Sequence, residues 1–344
     1  MLDIKKLAQP YIDATNANGY SGSLQPRILK DGTVDYNEQV IRIYVPYKID
    51  KSLLPDRLVL PACIDDIPVD VFEIGEIMAG GPNLSTPMQV DPARRNVVIP
   101  MVSGISIGNY AITAGTCGVP AIKSSIEYTM SNAHVLTDDP QREVSFEKRI
   151  LQPGKHDGGR IPADIVGYYA GHTRIFPKVE QPSQCGVAKG YMNFGNFMAK
   201  TLGRRSRFNT YVAGRNNVDQ AWFKRNDGRD FDITKTFDFD ISDYDLCGRV
   251  FAGSTVASIH CKMQYQLEAG LIPVVPYKPS PDEQFSRVRK SGRTTGDTAA
   301  PILDLSGTIE VNYGNFVAKF EDVVFTNKMV EGGDSGSDLW QKVE

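Results

Sequence analysis

The chain has 344 residues, of which 38 are basic and 41 acidic, and its formal net charge is −3. This length is enough for a large core divided over two or three structural units. The balanced charge argues against a dedicated nucleic-acid binder or a protein that binds anionic membranes. No apolar run of about 18 residues predicts a membrane span, and residues 1–6 lack the apolar region of a signal peptide.

Five cysteines are scattered along the chain: Cys63, Cys117, Cys185, Cys247 and Cys261. Their number is odd and none forms a CxxC pair, so the pattern favours neither a disulfide framework nor a structural zinc site. We expect reduced thiols and a cytoplasmic location.

The first part of the chain predicts a small α/β unit. Residues 40–45 and 69–74 alternate in a way typical of β-strands, and residues 51–60 predict a short helix or turn between them. We therefore expect residues 1–96 to form an N-terminal extension. Within it, the Gly- and Pro-containing stretch 78–95 is interpreted as a linker.

From about residue 97, short β-type runs recur between Gly, Pro, Asn and Asp. They are residues 111–115, 128–130, 165–169, 250–252, 308–311 and 323–325. This rhythm predicts a mainly β domain, a sandwich or barrel, over residues 97–344.

One interval of this domain differs from the rest because it is basic. Between residues 193 and 215 lie Lys200, Arg204, Arg205, Arg207 and Arg215, with Phe and Tyr residues among them. A basic loop or helix is expected there. A solvated charged face explains it more simply than a grip on phosphate or an acidic partner, and a role in assembly stays open.

The strongest chemical signal is Gly332-Gly333-Asp334-Ser335-Gly336-Ser337. Glycines on both sides of an Asp-Ser pair predict a tight turn that presents the serine oxygen. The amides of Gly333 and Ser335 would then point into one cavity, where they can stabilise an oxyanion. An ordinary Gly/Asp/Ser surface turn has the same composition.

A serine nucleophile needs a base, and histidine is the usual one. His134 lies at the end of a strand-like run, and this position favours it modestly over the other histidines. Those are His156, His172 and His260.

The base in turn needs an acid to orient it. Asp219 is the first candidate because apolar neighbours are expected to bury it, and Asp243 and Asp245 are the alternatives.

The order His–Asp–Ser, with Ala-His upstream and Gly-Asp-Ser-Gly downstream, resembles the trypsin/chymotrypsin-like serine proteases. The chain is most similar to their intracellular branch in bacteria and in plant narrow-leaf-type proteins. The similar blocks are residues 104–108, 114–116, 128–136, 152–154, 216–221, 290–296 and 332–337. This resemblance implies two antiparallel β-barrels, about 97–225 and 226–344. It also implies His134 as base, Asp219 as orienting acid and Ser335 as nucleophile.

The resemblance also sets three expectations at the C-terminal end. Met329 matches a position at the floor of the substrate pocket. Strands after the nucleophile should form the walls of that pocket, but only nine residues follow Ser335, and they include a charged Asp338. The wall is therefore expected from another segment or chain, unless the chain is truncated or self-cleaved at Glu344. Asp334 must also find a partner other than a freed N-terminal amine.

Residues 290–296 (Lys-Ser-Gly-Arg-Thr-Thr-Gly) have a second interpretation as a phosphate-binding loop. They lack the spacing of a nucleotide-binding loop, and no helix pattern follows them. A turn that shapes the second barrel near the active site fits better.

Together these features predict a cytoplasmic serine endopeptidase that acts on protein or peptide substrates without metal or organic cofactor. A homo-oligomer is possible, and neither a membrane nor nucleic acid is expected as a partner. Two alternatives stay open: a pseudoprotease that binds a peptide or partner, and a protease that only processes itself.

Overall fold

The computed structural model describes residues 3–29, 31–81, 91–178, 181–182, 186–201, 204, 211–212 and 214–343. Strands dominate these residues, so the predicted mainly β class is confirmed. Among the described residues, no helix is both long and apolar enough to cross a bilayer.

The N-terminal region contains one helix and six strands. They are α1 (Ile4–Ala14), β1 (Gly19–Ser21), β2 (Gln25–Ile28), β3 (Val34–Val45), β4 (Cys63–Ile64), β5 (Ile67–Glu73) and β6 (Met78–Ala79). Strands β3 and β5 are parallel, and the 3-10 turns Lys51–Leu53 and Asp56–Leu58 lie between them. Ile4, Ala8 and Ile12 on one face of α1 share a buried cluster with residues of β1 and β3. These contacts confirm the small α/β unit.

The next part of the chain forms the first barrel. Its elements are β7 (Met101–Ser103), β8 (Ser106–Asn109), β9 (Gly115–Thr116), β10 (Pro120–Lys123), β11 (Ile126–Ser131), α2 (Ala133–Leu136), β12 (Arg149–Leu151), β13 (Ile165–His172), β14 (Gln181–Pro182), α3 (Gly186–Thr201), β15 (Tyr211–Val212), β16 (Ala221–Arg225) and β17 (Phe231–Thr236). The main sheet runs β10-β11-β16-β13-β12-β8-β9, and residues 272–273 from later in the chain pair with β10 at its end. Strands β7 and β17 pair with each other outside this sheet, as do β14 and β15. Strand β9 pairs with β8, and β10 pairs with β11. Because β9 and β10 follow each other closely in the chain, these pairings bring the two ends of the sheet together, so the sheet is curled.

The remaining elements build the second barrel. They are β18 (Tyr244–Gly253), β19 (Ala257–Lys262), α4 (Met263–Glu268), β20 (Ile272–Pro273), β21 (Arg287–Gly292), β22 (Gly296–Asn312), β23 (Val317–Asn327) and β24 (Asp338–Lys342). The short strand β20 is the exception, because it pairs with β10 in the sheet of the first barrel. Strands β21-β24-β18-β19-β23-β22 pair in that order, and β22 pairs again with β21. Six strands therefore close into a ring. The far end of β22 pairs with β1, so the N-terminal unit continues the same sheet.

The strand order of this ring shows which segments lie beside β24. Strand β24, which follows Ser335, lies beside β18, whose residues come much earlier in the chain. Both strands that complete the ring next to β24 are thus supplied by upstream segments of this chain.

Two predicted segments need correction or lie partly outside the described residues. Residues 82–90 of the predicted linker 78–95 lie outside the described residues, but both of its described ends are packed. Strand β6 pairs with β18, and Arg94 is buried against Asp238, with 2.6 Å between Nη2 and Oδ1. In the basic interval, α3 extends to Thr201. Cys185, Arg205 and Arg207 lie outside the described residues.

The charged Asp338, unexpected in a strand, joins the two barrels. It is fully buried and accepts hydrogen bonds from Arg249 Nη2 in the second barrel at 2.9 Å, and from Ser103 Oγ at 2.8 Å. The amide of Val119, beside β10, adds a third bond at 2.7 Å. Burial raises the pKa of Asp338, and the charge of Arg249 offsets this only in part.

We predict that Asp338→Asn lowers the free energy of unfolding by about 3–5 kcal/mol, because it leaves the buried Arg249 without its counter-charge. Urea denaturation measures this. The matched control is Asp297→Asn, which breaks a partly exposed pair with Arg289 and should cost less than about 1 kcal/mol. An equally small loss for Asp338→Asn would contradict the assigned role.

Candidate active site

His134 and Asp219 meet because of the register of two neighbouring strands. Ser131 at the end of β11 pairs with Ala221 at the start of β16. His134 in α2 follows the first strand, and Asp219 precedes the second, so both lie at the same edge of the barrel. The distance from His134 Nδ1 to Asp219 Oδ2 is 2.6 Å, and the amide of Ala133 donates to Asp219 Oδ1 at 2.6 Å.

Two further residues hold Asp219, and no sequence motif indicates either of them. Tyr313 Oη donates to Asp219 Oδ2 at 2.7 Å, and its ring lies edge-on to the imidazole of His134. The amide of Asp219 donates to Cys261 Sγ at 3.3 Å. Tyr313 comes from the segment after β22, 94 residues from Asp219 in sequence, so no local pattern connects them.

The carboxyl group of Asp219 is ionised despite complete burial. Burial alone raises its pKa, but the charge of His134 and the hydrogen bonds from His134, Tyr313 and the Ala133 amide outweigh that effect. Its pKa is therefore below the ordinary value. An ionised carboxylate in this position fixes the tautomer of the imidazole with Nδ1 protonated, which leaves Nε2 free to accept a proton.

Ser335 lies on the predicted tight turn. Gly333 and Gly336 have φ angles of +100° and +97°, which explains the need for glycine at both positions. The first barrel holds this turn from the other side, because the carbonyls of Ser335 and Gly333 accept hydrogen bonds from the amide and hydroxyl of Thr116. Among the described residues, neither the Gly333 amide nor the Ser335 amide donates a hydrogen bond.

Asp334 has a partner inside the chain. The ammonium group of Lys290 lies 3.2 Å from Asp334 Oδ2, and both side chains are fully buried. The hydroxyl of Thr295 donates to the same oxygen at 2.6 Å. Hydrogen bonds from the amides of Thr294, Thr295 and Glu331 complete the site of the carboxylate. Although burial raises the pKa of Asp334, Lys290 and these donors hold it below the ordinary value. The turn around Ser335 is thus fixed without a free N-terminal amine.

The 290–296 segment is the hairpin between β21 and β22, in agreement with the turn favoured over a phosphate loop. Arg293 in this hairpin donates to both carboxylate oxygens of Asp157 in the first barrel, at 2.5 Å each. Its basic side chains are therefore engaged within the protein. Among the described residues, no three His, Cys, Asp or Glu side chains group as metal ligands.

The side chain of Ser335 is not hydrogen-bonded to His134. Ser335 Oγ donates to the carbonyl of Phe251 in β18 at 3.1 Å. His134 Nε2 is buried and has no hydrogen-bond partner among the described residues. Gly115 lies between the residue next to His134 and the main chain of Ser335. A Cβ atom on Gly115 would be 2.5 Å from Val135 Cγ2 and 3.0 Å from the Ser335 carbonyl oxygen, so the two parts of the site are close together.

The other sequence candidates lie elsewhere. Met329 is buried in the apolar core of the second barrel with Val250 and Leu339, and its assignment to the substrate pocket stays a prediction. His260 is buried against Thr326, and burial lowers its pKa to about 3.

The alternative bases and acids have other partners. His172 lies on β13 opposite Ala221, two residues from Asp219, but its Nδ1 contacts the hydroxyl of Tyr169. His156 lies in the 3-10 turn Lys155–Asp157. Asp243 and Asp245 lie near Lys342 and Gln341, at the end of β18 remote from Phe251.

Comparison with known proteins adds two solved structures. No family model matches the chain, and no curated protein sequence matches it. A glutamic acid-specific serine protease is 12% identical, with a TM-score of 0.33, over 70% of this chain and 93% of its own. Protease A of Thermobifida fusca is 14% identical, with a TM-score of 0.33, over 70% of this chain and 77% of its own. A likeness at these values is too weak to support an assignment, so the function is inferred from the geometry of the site.

We predict that Tyr313→Phe slows serine labelling. Without the phenol, the Asp219 carboxylate loses one of its two side-chain donors and orients the imidazole of His134 less firmly. The variant should also lose about 1.5–3 kcal/mol of stability, the range for a hydrogen bond to a charged group. The rate of fluorophosphonate labelling and urea denaturation measure the two effects. An unchanged labelling rate with lower stability would mean that Tyr313 is only structural.

Proposed function

We propose that this protein is a serine endopeptidase that cleaves peptide bonds with Ser335, His134 and Asp219. The observation that carries the proposal is the buried Asp219–His134 pair, whose free Nε2 faces no other acceptor or donor among the described residues. Next to it lies a serine on a turn made rigid by buried contacts. Asp219 would act through His134, so it is the positioning residue of the three.

The first chemical step transfers one proton. Ser335 Oγ leaves the Phe251 carbonyl by rotation about its side-chain bond and donates its proton to His134 Nε2 while it attacks the substrate carbonyl carbon. The imidazolium that forms is stabilised by Asp219. The negative charge that develops on the carbonyl oxygen is accepted by the amides of Gly333 and Ser335, which have no other acceptor among the described residues.

The second step breaks the peptide bond. His134 gives its proton to the leaving amine, and an ester between Ser335 and the substrate acyl group is formed. Water then attacks this ester with His134 again acting as base, which releases the acid product and restores the serine. These steps need only the side chains named. A cytoplasmic location is part of the proposal and is supported by the unpaired state of Cys63, Cys117, Cys247 and Cys261.

A second candidate function is a peptide-binding pseudoprotease. It is favoured by one observation, the hydrogen bond of Ser335 Oγ to the Phe251 carbonyl in place of His134. In that case the surface around Ser335 would bind an extended peptide without cleaving it.

We predict that a fluorophosphonate labels the wild-type chain on Ser335. Ser335→Ala should abolish labelling, and His134→Ala should lower its rate by a factor on the order of 10³ or more, because the serine then lacks its base. The exposed Ser52→Ala variant is the matched control and should label like the wild type. Peptide mapping by mass spectrometry locates the adduct.

Each other outcome has a distinct meaning. Labelling that persists in Ser335→Ala would overturn the assignment of the nucleophile. A folded protein that does not label at any pH would favour the pseudoprotease.

A further inference from the structure

Beside Ser335, strand β18 has a stretch of edge that β24 does not pair with. Strand β24 covers β18 only as far as Arg249, where Asp338 is its partner. Val250 then exchanges hydrogen bonds with the turn that follows Ser335, through Ser337 and Gly336. Beyond that point, residues 251–253 present main-chain groups that β24 does not reach.

A segment from the N-terminal region occupies this edge. Strand β6 pairs with it in antiparallel fashion, with Ala79 opposite Ala252 and Met78 opposite Gly253. The amide of Gly80 donates to the Phe251 carbonyl at 2.9 Å. We call residues 77–81 the cleft segment.

Gly80 is the residue of the cleft segment that faces the nucleophile. Ser335 Oγ donates to the same Phe251 carbonyl that accepts from Gly80. A Cβ atom on Gly80 would lie 3.8 Å from Ser335 Oγ, its nearest neighbour. The next residue, Gly81, lies against the main chain of Glu331, in the stretch that leads into the nucleophile turn.

Addition of an extended peptide to a free strand edge is a general mode of peptide recognition, in which main-chain hydrogen bonds supply the affinity. We propose that residues 251–253 are the peptide-binding edge of the cleft and that the cleft segment of the same chain occupies it as a built-in pseudosubstrate. This inference rests on the proposed function and names the regulation of that site. A peptide substrate must displace the cleft segment before Ser335 can attack it.

The backbone of the cleft segment explains why it blocks the cleft and is not cleaved there. Gly80 and Gly81 have φ angles of +85° and +81°, and the amide of Gly81 donates to the Met78 carbonyl at 3.0 Å. The chain therefore turns back next to Ser335, whereas a substrate must continue extended past the nucleophile. The nitrogen that would leave after attack on Gly80 is tied into this turn.

Contacts on the N-terminal side hold the segment in place. Ile77 is buried in the main apolar cluster, and its carbonyl accepts a hydrogen bond from the amide of Asn312 at 2.9 Å. Ile74 is buried in the same cluster. These anchoring contacts are thus mainly apolar and involve none of the proposed catalytic residues. The binding of the segment can therefore be weakened by substitutions that leave those residues unchanged.

The test is the rate of fluorophosphonate labelling of Ser335 in Gly80→Val. A β-branched residue strongly disfavours φ near +85°, so the turn should open. We expect labelling to be faster by about tenfold than in the wild type, a factor that matches the usual cost of a left-handed conformation for a residue with a side chain. Gly32→Val is the matched control, because Gly32 has φ +86° in a turn with open space around it. Its labelling rate should equal that of the wild type.

A second measurement is independent of catalysis. In the Ser335→Ala background, hydrogen exchange should show a protected Gly80 amide, and Gly80→Val should remove protection from the cleft segment. A synthetic peptide with the sequence of residues 74–81 should then bind the Ser335→Ala/Gly80→Val protein and not Ser335→Ala alone.

The outcomes separate the two claims. Equal labelling rates in the wild type and Gly80→Val, or a cleft segment that exchanges without protection, would overturn the pseudosubstrate. If no variant labels but the segment is protected and the peptide binds only after Gly80→Val, the pseudosubstrate stands and the proposed endopeptidase fails.

Discussion

The contact on which the arrangement of this protein depends most is the buried ion pair of Asp338 and Arg249. Asp338 begins β24, three residues after Ser335, and it is bonded at once to β18 and to two residues of the first barrel. An unpaired charge in this position would be costly, so Arg249 stabilises the buried carboxylate within the second barrel. Ser103 and the amide of Val119 bond to the same carboxylate from the first barrel. Because Ser335 lies only three residues before Asp338, these bonds help to set its distance from the first barrel.

A second buried carboxylate, Asp334, determines the shape of the turn itself. Lys290 and the amides around it satisfy the carboxylate, and its place in the chain directly before Ser335 leaves the turn little freedom. Asp338 thus positions the turn between the barrels, whereas Asp334 fixes its conformation. The proposed catalytic group therefore lies in a rigid frame, and the remaining freedom is in its own side chain.

Part of this organisation could be predicted from the sequence because it is local. The turn at 332–337 needs glycine for its positive φ angles, and Asp219 is buried by its apolar neighbours, as expected. The mainly β class follows from short β-type runs between turn residues. The contacts that complete the site are not local, since Tyr313, Lys290 and Phe251 reach it from three separate strands or strand ends. No spacing in the sequence indicates that Lys290 pairs with Asp334 or that Tyr313 reaches Asp219.

The order of strands in the second barrel is also beyond prediction from the sequence. The residues after Ser335 supply one strand, β24, whose neighbours β18 and β21 both precede Ser335 in the chain. Chain order alone does not indicate this arrangement. Residues 78–81 differ from the predicted linker for a related reason. Gly80 and Gly81 are typical of a linker, but their positive φ angles turn the chain next to Ser335.

The central claim is that Ser335 can form a covalent acyl-enzyme. The most direct measurement is to mix the protein with an activated ester, quench it with acid before hydrolysis, and map the modified peptide by mass spectrometry. We predict one acyl group per chain, on the peptide that contains Ser335, with a much lower yield in His134→Ala. An adduct on another residue, or none on Ser335 in Gly80→Val at neutral pH, would contradict it.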